Sequence, residues 1–117
     1  MHEVALAEDL LEMVREELEG RKINTEDRSI KIKVEVGAMS CVVIDSFRFA
    51  FRAVSQDTFL ADANLQCREK PLEIKCGNCG FEGEIETELP LCPDCESGET
   101  EIKSGDEFLV KTIEIGG

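Results

Sequence analysis

The 117-residue chain has no tryptophan and no tyrosine, and its only aromatic side chains beyond one histidine are six phenylalanines. Whatever core it forms is therefore mostly aliphatic. Basic residues are scarce: 13 Lys and Arg stand against 26 Asp and Glu, a net charge of −13. That balance argues against a phosphate backbone as partner, since affinity there comes from Lys and Arg displacing counterions, and it disfavours an anionic membrane surface. No stretch approaches the ~18 uninterrupted apolar residues of a membrane span. The opening Met1-His2-Glu3 lacks the basic and apolar regions of a signal peptide. A soluble, cytoplasmic protein is expected. No glycine-rich phosphate loop is present, and a single histidine at position 2 leaves no nucleophile–base pair to build, so an enzyme is not expected.

What is present begins with two helical patterns. From Glu3 to Glu19, Leu6 or Ala7, then Leu10, Leu11, Val14 and Leu18 recur at the spacing of one helix face, with Glu8, Glu12, Glu16 and Glu19 opposite and Gly20 as a stop. Arg15 is the one cation near the Glu12–Glu16 pair. A second helix is predicted from Asp45, as N-cap, to about Gln56. Phe47, Ala50, Phe51 and Val54 form its buried stripe, and Arg48 and Arg52 lie outside. Three phenylalanines in five residues (Phe47, Phe49, Phe51) suggest a ligand pocket, but helical spacing favours core packing.

Between the helices, residues 29–37 alternate without a break: Ile30, Ile32, Val34 and Val36 on one face, Lys31, Lys33 and Glu35 on the other. That is a strand with one wet face. A short strand is expected around Leu65–Arg68, ended by Pro71. The closing Asp106–Ile115 segment is strand-like, with a change of phase between Val110 and Ile113 that suggests a bulge. The expected fold is α+β: two helices on one face of a three-stranded sheet, with an inserted four-cysteine zinc-ribbon lobe. Residues 1–71 with 106–117 would form one domain and 72–105 the insert.

Six cysteines in a chain without an export signal point away from disulfides. Cys41 and Cys67 stand alone and are expected as small core side chains. The other four pair as Cys76-Gly-Asn-Cys79 and Cys92-Pro-Asp-Cys95, twelve residues apart. A two-residue gap lets both thiolates of one turn meet one ion, and two such turns complete a tetrahedron, the arrangement of structural zinc. Residues 76–101 carry eight acidic side chains and no basic one, too little apolar surface to fold alone. A nucleic-acid ribbon would need cations there, and a catalytic zinc would need an open position. A rubredoxin-like iron site uses the same ligands, and the cysteines alone do not separate the two ions.

His2 has two readings: an inert terminal residue, or a chelator acting with the neighbouring amine and amide nitrogens. Such all-nitrogen donors suit square-planar Ni(II) or Cu(II). Met1-His2-Glu3, the amphipathic helix, the strand ending Val36-Gly37, Phe49-Ala50-Phe51, the paired CxxC turns, Gly105-Asp-Glu-Phe and Ile113-Glu-Ile together resemble the HypA family of nickel metallochaperones for [NiFe]-hydrogenase. The resemblance implies Ni(II) held by Met1, His2 and Glu3, and structural Zn(II) held by Cys76, Cys79, Cys92 and Cys95. It also implies two partners, the GTPase HypB and the hydrogenase large-subunit precursor, with the chain a monomer or weak homodimer. Some members carry a histidine directly after a CxxC; Gly80 and Glu96 stand there instead. The rival to this carrier is a zinc-stabilised protein–protein adaptor with His2 inert.

Overall fold

A computed structural model describes residues 3–26, 28–87 and 89–116. The order of elements is α1 (Glu3–Gly20), β1 (Ser29–Gly37), α2 (Ile44–Ser55), β2 (Asn64–Lys70), β3 (Leu72–Cys76), β4 (Glu82–Ile85), β5 (Thr100–Ser104) and β6 (Phe108–Gly116). The strands form two three-stranded sheets, β2-β1-β6 and β4-β3-β5. The first is the expected sheet. The second was not legible as strands in its polar, cysteine-bearing sequence. Pro71 is the one residue between β2 and β3, so it separates strands of different sheets.

The chain divides into two compact units. Residues 1–34, 42–67 and 110–117 make the first, and residues 35–41 and 68–109 the second, which takes in more than 72–105. In the first unit, α1 buries Ala7, Leu10, Leu11, Val14 and Leu18. Its acidic side is tied by Arg15–Glu12 at 2.8 Å and Arg21–Glu17 at 2.6 Å. Gly20 ends the helix, but the left-handed residue that closes it is Lys22, at φ +55°. The Lys22 amide donates to Glu19 O (3.0 Å) and the Ile23 amide to Leu18 O (3.0 Å), the paired bonds of a Schellman cap.

α2 packs on α1 and buries Phe47, Ala50, Phe51 and Ser55, with the Phe47 and Phe51 rings 6.4 Å apart. Its start differs from expectation: Val43 is the N-cap, with no side-chain bond, and Asp45 lies inside the first turn. The acid still faces the positive end of the helix dipole there. β1 contributes Ile30, Ile32 and Val34 to the same unit, and Lys33 reaches Glu114 of β6 at 3.3 Å. The exposure of β6 changes phase at Lys111 and Thr112, where two successive residues are exposed.

In the second unit, β3 is central and antiparallel to both β4 and β5. Its buried cluster is only Leu72, Ile74 and Ile85, with Met39, Phe81 and Ile102 packed against it. Gly37 and Gly105 meet backbone to backbone, closer than any Cβ allows. The approach lets the Met39 amide donate to Gly105 O at 2.8 Å and the Gly37 amide to Glu107 O at 2.8 Å.

Candidate metal centre

Two turns of identical design carry the four cysteines. In the first, the Cys76 amide donates to Phe81 O (2.7 Å) and the Gly80 amide to Cys76 O (3.2 Å). In the second, the Cys92 amide donates to Ser97 O (3.0 Å) and the Glu96 amide to Cys92 O (2.9 Å). Each turn needs a left-handed residue just after its second cysteine. The first uses Gly80 at φ +83°; the second uses Glu96 at φ +62°. A glycine adopts this backbone freely, whereas a side chain is strained by it.

These turns bring Cys76, Cys79, Cys92 and Cys95 together with all four sulfurs within 4.8 Å of one another. Cys76 Sγ lies 3.7 Å from Cys95 Sγ, and Cys79 Sγ lies 3.4 Å from Cys92 Sγ. Four sulfurs at the usual Zn–S distance of ~2.3 Å around one ion stand about 3.8 Å apart, so the separations fit a tetrahedral thiolate site. All four positions are protein-filled, leaving none for a substrate. Cys76 and Cys92 are buried, Cys95 is half-buried and Cys79 is exposed.

Amide donors are already aimed at the sulfurs: Asn78 N and Cys79 N at Cys76 Sγ (3.3 and 3.4 Å), and Asn78 Nδ2 at Cys95 Sγ (3.5 Å). Donation from Asn78, then from the Ser97 backbone, lowers the Cys95 thiol to about 6. At Cys79 the Phe81 backbone pulls the other way, but Cys92, burial, Cys95 and Cys76 together push that thiol up to about 12. The two shifts run in opposite directions within one cluster, and a bound cation would favour the thiolate form of every sulfur. Sequence spacing found the four cysteines that cluster here. It missed Asn78, whose only signal is an amide side chain between the paired cysteines, and the left-handed Glu96.

The remaining candidates fall elsewhere. Met1 and His2 lie outside the described residues; Glu3 is the first residue of α1. The expectation that Cys41 and Cys67 are core residues is corrected. Cys41 is exposed, in the segment after β1, at φ +64°. Cys67 is half-buried on β2, an outer strand of its sheet, where burial pushes its thiol up and the Arg48 guanidinium partly offsets that. Phe49 also departs from core packing, at 76% exposed, because it points away from the Phe47–Phe51 face. Among the described residues no helix is long and apolar enough to cross a membrane.

Residues 1–115 match the sequence model of a family described as hydrogenase/urease nickel incorporation, metallochaperone. The chain belongs to the HypA family. A HypA of Moorella thermoacetica, named hydrogenase maturation factor, is 33% identical over 97% of this chain and 98% of its own. One from Methanococcus maripaludis is 34% identical over 98% of this chain and 95% of its own. The solution structure of the Ni metallochaperone HypA from Helicobacter pylori superposes with a TM-score of 0.67 at 20% identity, covering 98% of this chain and 97% of that one. At that identity the likeness speaks for the fold. HypA proteins are metallochaperones serving nickel incorporation, not enzymes, and the four-cysteine cluster gives this member a metal-binding group.

Proposed function

We propose that the chain captures Ni(II) at its N-terminus and delivers it for maturation of the [NiFe]-hydrogenase large subunit. The observation that carries this reading is the family match, which runs from residue 1 through the cysteine turns to residue 115. Nickel is the cargo: the Met1 amine, the His2 imidazole and the backbone nitrogens of His2 and Glu3 are the donors. Cys76, Cys79, Cys92 and Cys95 hold structural zinc, which keeps the second unit folded and takes no part in exchange. Neither Gly80 nor Glu96 offers an imidazole as a replacement ligand. The sheet-and-helix region, residues 1–71 and 106–117, is then the nickel-binding domain and 72–105 the zinc-binding one. The GTPase HypB and the large-subunit precursor are the partners, met in the cytoplasm by a monomer or weak homodimer.

Calorimetric titration of Ni(II) into protein with an authentic terminus tests this. One equivalent is expected to bind tightly. His2→Ala is expected to abolish tight binding and leave zinc at one equivalent, since the two sites share no ligand. A few residues added before Met1 convert its amine to an amide and weaken binding as well. Affinity is expected to fall with pH. The amine and imidazole, with reference pKa values of about 7.7–8.0 and about 6.5, are protonated as pH drops and compete with the metal. Absence of nickel uptake by the intact chain selects the adaptor instead.

A further inference from the structure

Among the described residues, the outer face of α2 carries two close arginines that no carboxylate holds, although Arg48 also contacts the Cys67 thiol. At about 100° per residue, the exposed residues follow one another around the helix as Ser46, Ala53, Phe49, Asp45, Arg52 and Arg48. Arg48 and Arg52 stand four residues apart, where like charges repel. Arg15, Arg21 and Arg68 each hold a glutamate at 2.6–3.3 Å, but neither Arg48 nor Arg52 has a carboxylate within ion-pair distance among the described residues. Beside them is a cavity of about 220 Å³, lined also by Ser55 and Asn64 over Phe51 and Leu65. That is below the ~300–1,000 Å³ of most small-molecule pockets, and it suits the end of one or two side chains.

Across Asp45 from the arginines, on the same face, Phe49 projects at 76% exposure. Beyond it a shallow, mainly apolar groove of about 580 Å³ runs along Val4, Ala53 and Val54. A free phosphate would use the guanidiniums and leave Phe49 and the groove bare. A peptide with acidic and apolar residues uses both, and an aromatic anchor beside arginines is the composition enriched at protein interfaces. We propose that the outer face of α2 docks a partner protein through an acidic segment, its carboxylates meeting Arg48 and Arg52 and an apolar side chain meeting Phe49. Guanidinium forks bind carboxylates in a bidentate, oriented way, so the contact fixes register as well as affinity. The groove is also lined by the acids Glu3 and Asp45, so the partner's apolar residue and not its carboxylates must occupy it, and a docked partner would lie beside Glu3. That last consequence rests on the nickel reading; the docking does not.

The test is an NMR titration of the ¹⁵N-labelled 117-residue chain, without added nickel, against the blocked peptide Asp-Glu-Leu-Asp-Glu. Saturable shifts are expected at residues 45–53 and 61–65. Replacing the peptide's acids with Asn and Gln is expected to weaken binding roughly tenfold or more, as loss of charge-assisted bonds requires. Arg48→Glu with Arg52→Glu should abolish it. Arg48→Ala with Arg52→Ala repeats the test should charge reversal disturb the fold. Phe49→Ser should weaken it severalfold. Three results overturn the proposal: equal shifts with inorganic phosphate, which would make this a small-anion site; shifts spread evenly over Lys31, Lys70 and Lys75; or undiminished binding by the alanine pair. Because no nickel is present, each outcome stands apart from success or failure of the nickel reading.

Discussion

The two units of this chain solve the same problem by different means. The first buries a conventional core: five α1 residues, Ile30, Ile32 and Val34 of β1, Phe47, Ala50 and Phe51 of α2, and Leu60. The second buries, besides two of its cysteines, Val36, Leu72, Ile74 and Ile85. Burial of an aliphatic side chain is worth about 1.5–3 kcal/mol, so this is a small core for a unit of its size. A structural zinc site would contribute about 10–16 kcal/mol, comparable with a whole domain's stability of about 5–15 kcal/mol. On the zinc reading proposed above, one unit is held by area removed from water and the other by coordinate bonds.

Removing a ligand should break this contrast most severely. Cys92 is buried and lies within the sulfur cluster. Cys92→Ser, or Cys76→Ser, is expected to release zinc and disorder roughly residues 72–105, with a loss on the order of the metal's ~10 kcal/mol. The eight acids of residues 76–101 sharpen the effect, since no cation of that stretch opposes them. Metal analysis with amide NMR checks it. A variant that keeps one zinc and well-dispersed signals from 72–105 would show that the small apolar cluster is sufficient.

Phe47→Ala should strike the other unit. Phe47 is fully buried and stacked on Phe51, so truncation is expected to cost about 3–5 kcal/mol. Chemical denaturation followed by helix signal reads the loss, and zinc content is expected to stay at one equivalent. Loss of zinc in this variant would mean that the metal turns depend on the helical core.

How much of this was visible in the sequence follows the same division. Where burial decides structure, periodicity records it: Ile30, Ile32, Val34 and Val36 alternate in the sequence and are all buried, and the α1 stripe is where its spacing puts it. The four clustered cysteines were legible because their spacing is the one that a tetrahedral metal site requires. Strands β4 and β5 were not, since Glu82–Ile85 and Thr100–Ser104 have little apolar alternation and are ordered by pairing with β3. Residue type misled at Cys41 and Phe49. Both are usually buried kinds, but one lies in a turn and the other points off the packed side of its helix. Asp45 has the chemistry of an N-cap, yet the chain enters the helix two residues earlier, at Val43.

The smallest predicted effect compares the metal turns with each other. Gly80 and Glu96 hold equivalent left-handed positions, at φ +83° and +62°. A Cβ at Gly80 would meet nothing within 4 Å, so Gly80→Ala isolates the backbone conformation from any clash. A left-handed non-glycine residue costs about 1–2 kcal/mol. Gly80→Ala should therefore weaken zinc by up to roughly tenfold in a chelator competition, at about 1.4 kcal/mol per tenfold. Glu96→Gly should move the other way. Glycine recovers the same strain but loses about 0.5–1 kcal/mol of it to a freer unfolded chain, which leaves a gain of up to about 1 kcal/mol. Charge would act in the same direction, because four thiolates on Zn²⁺ carry −2 (−4 + 2) and Glu96 adds to it. Glu96→Gln separates the causes: it removes the charge and keeps the strained backbone. If Glu96→Gln tightens zinc as much as Glu96→Gly, repulsion and not backbone strain distinguishes the second turn from the first.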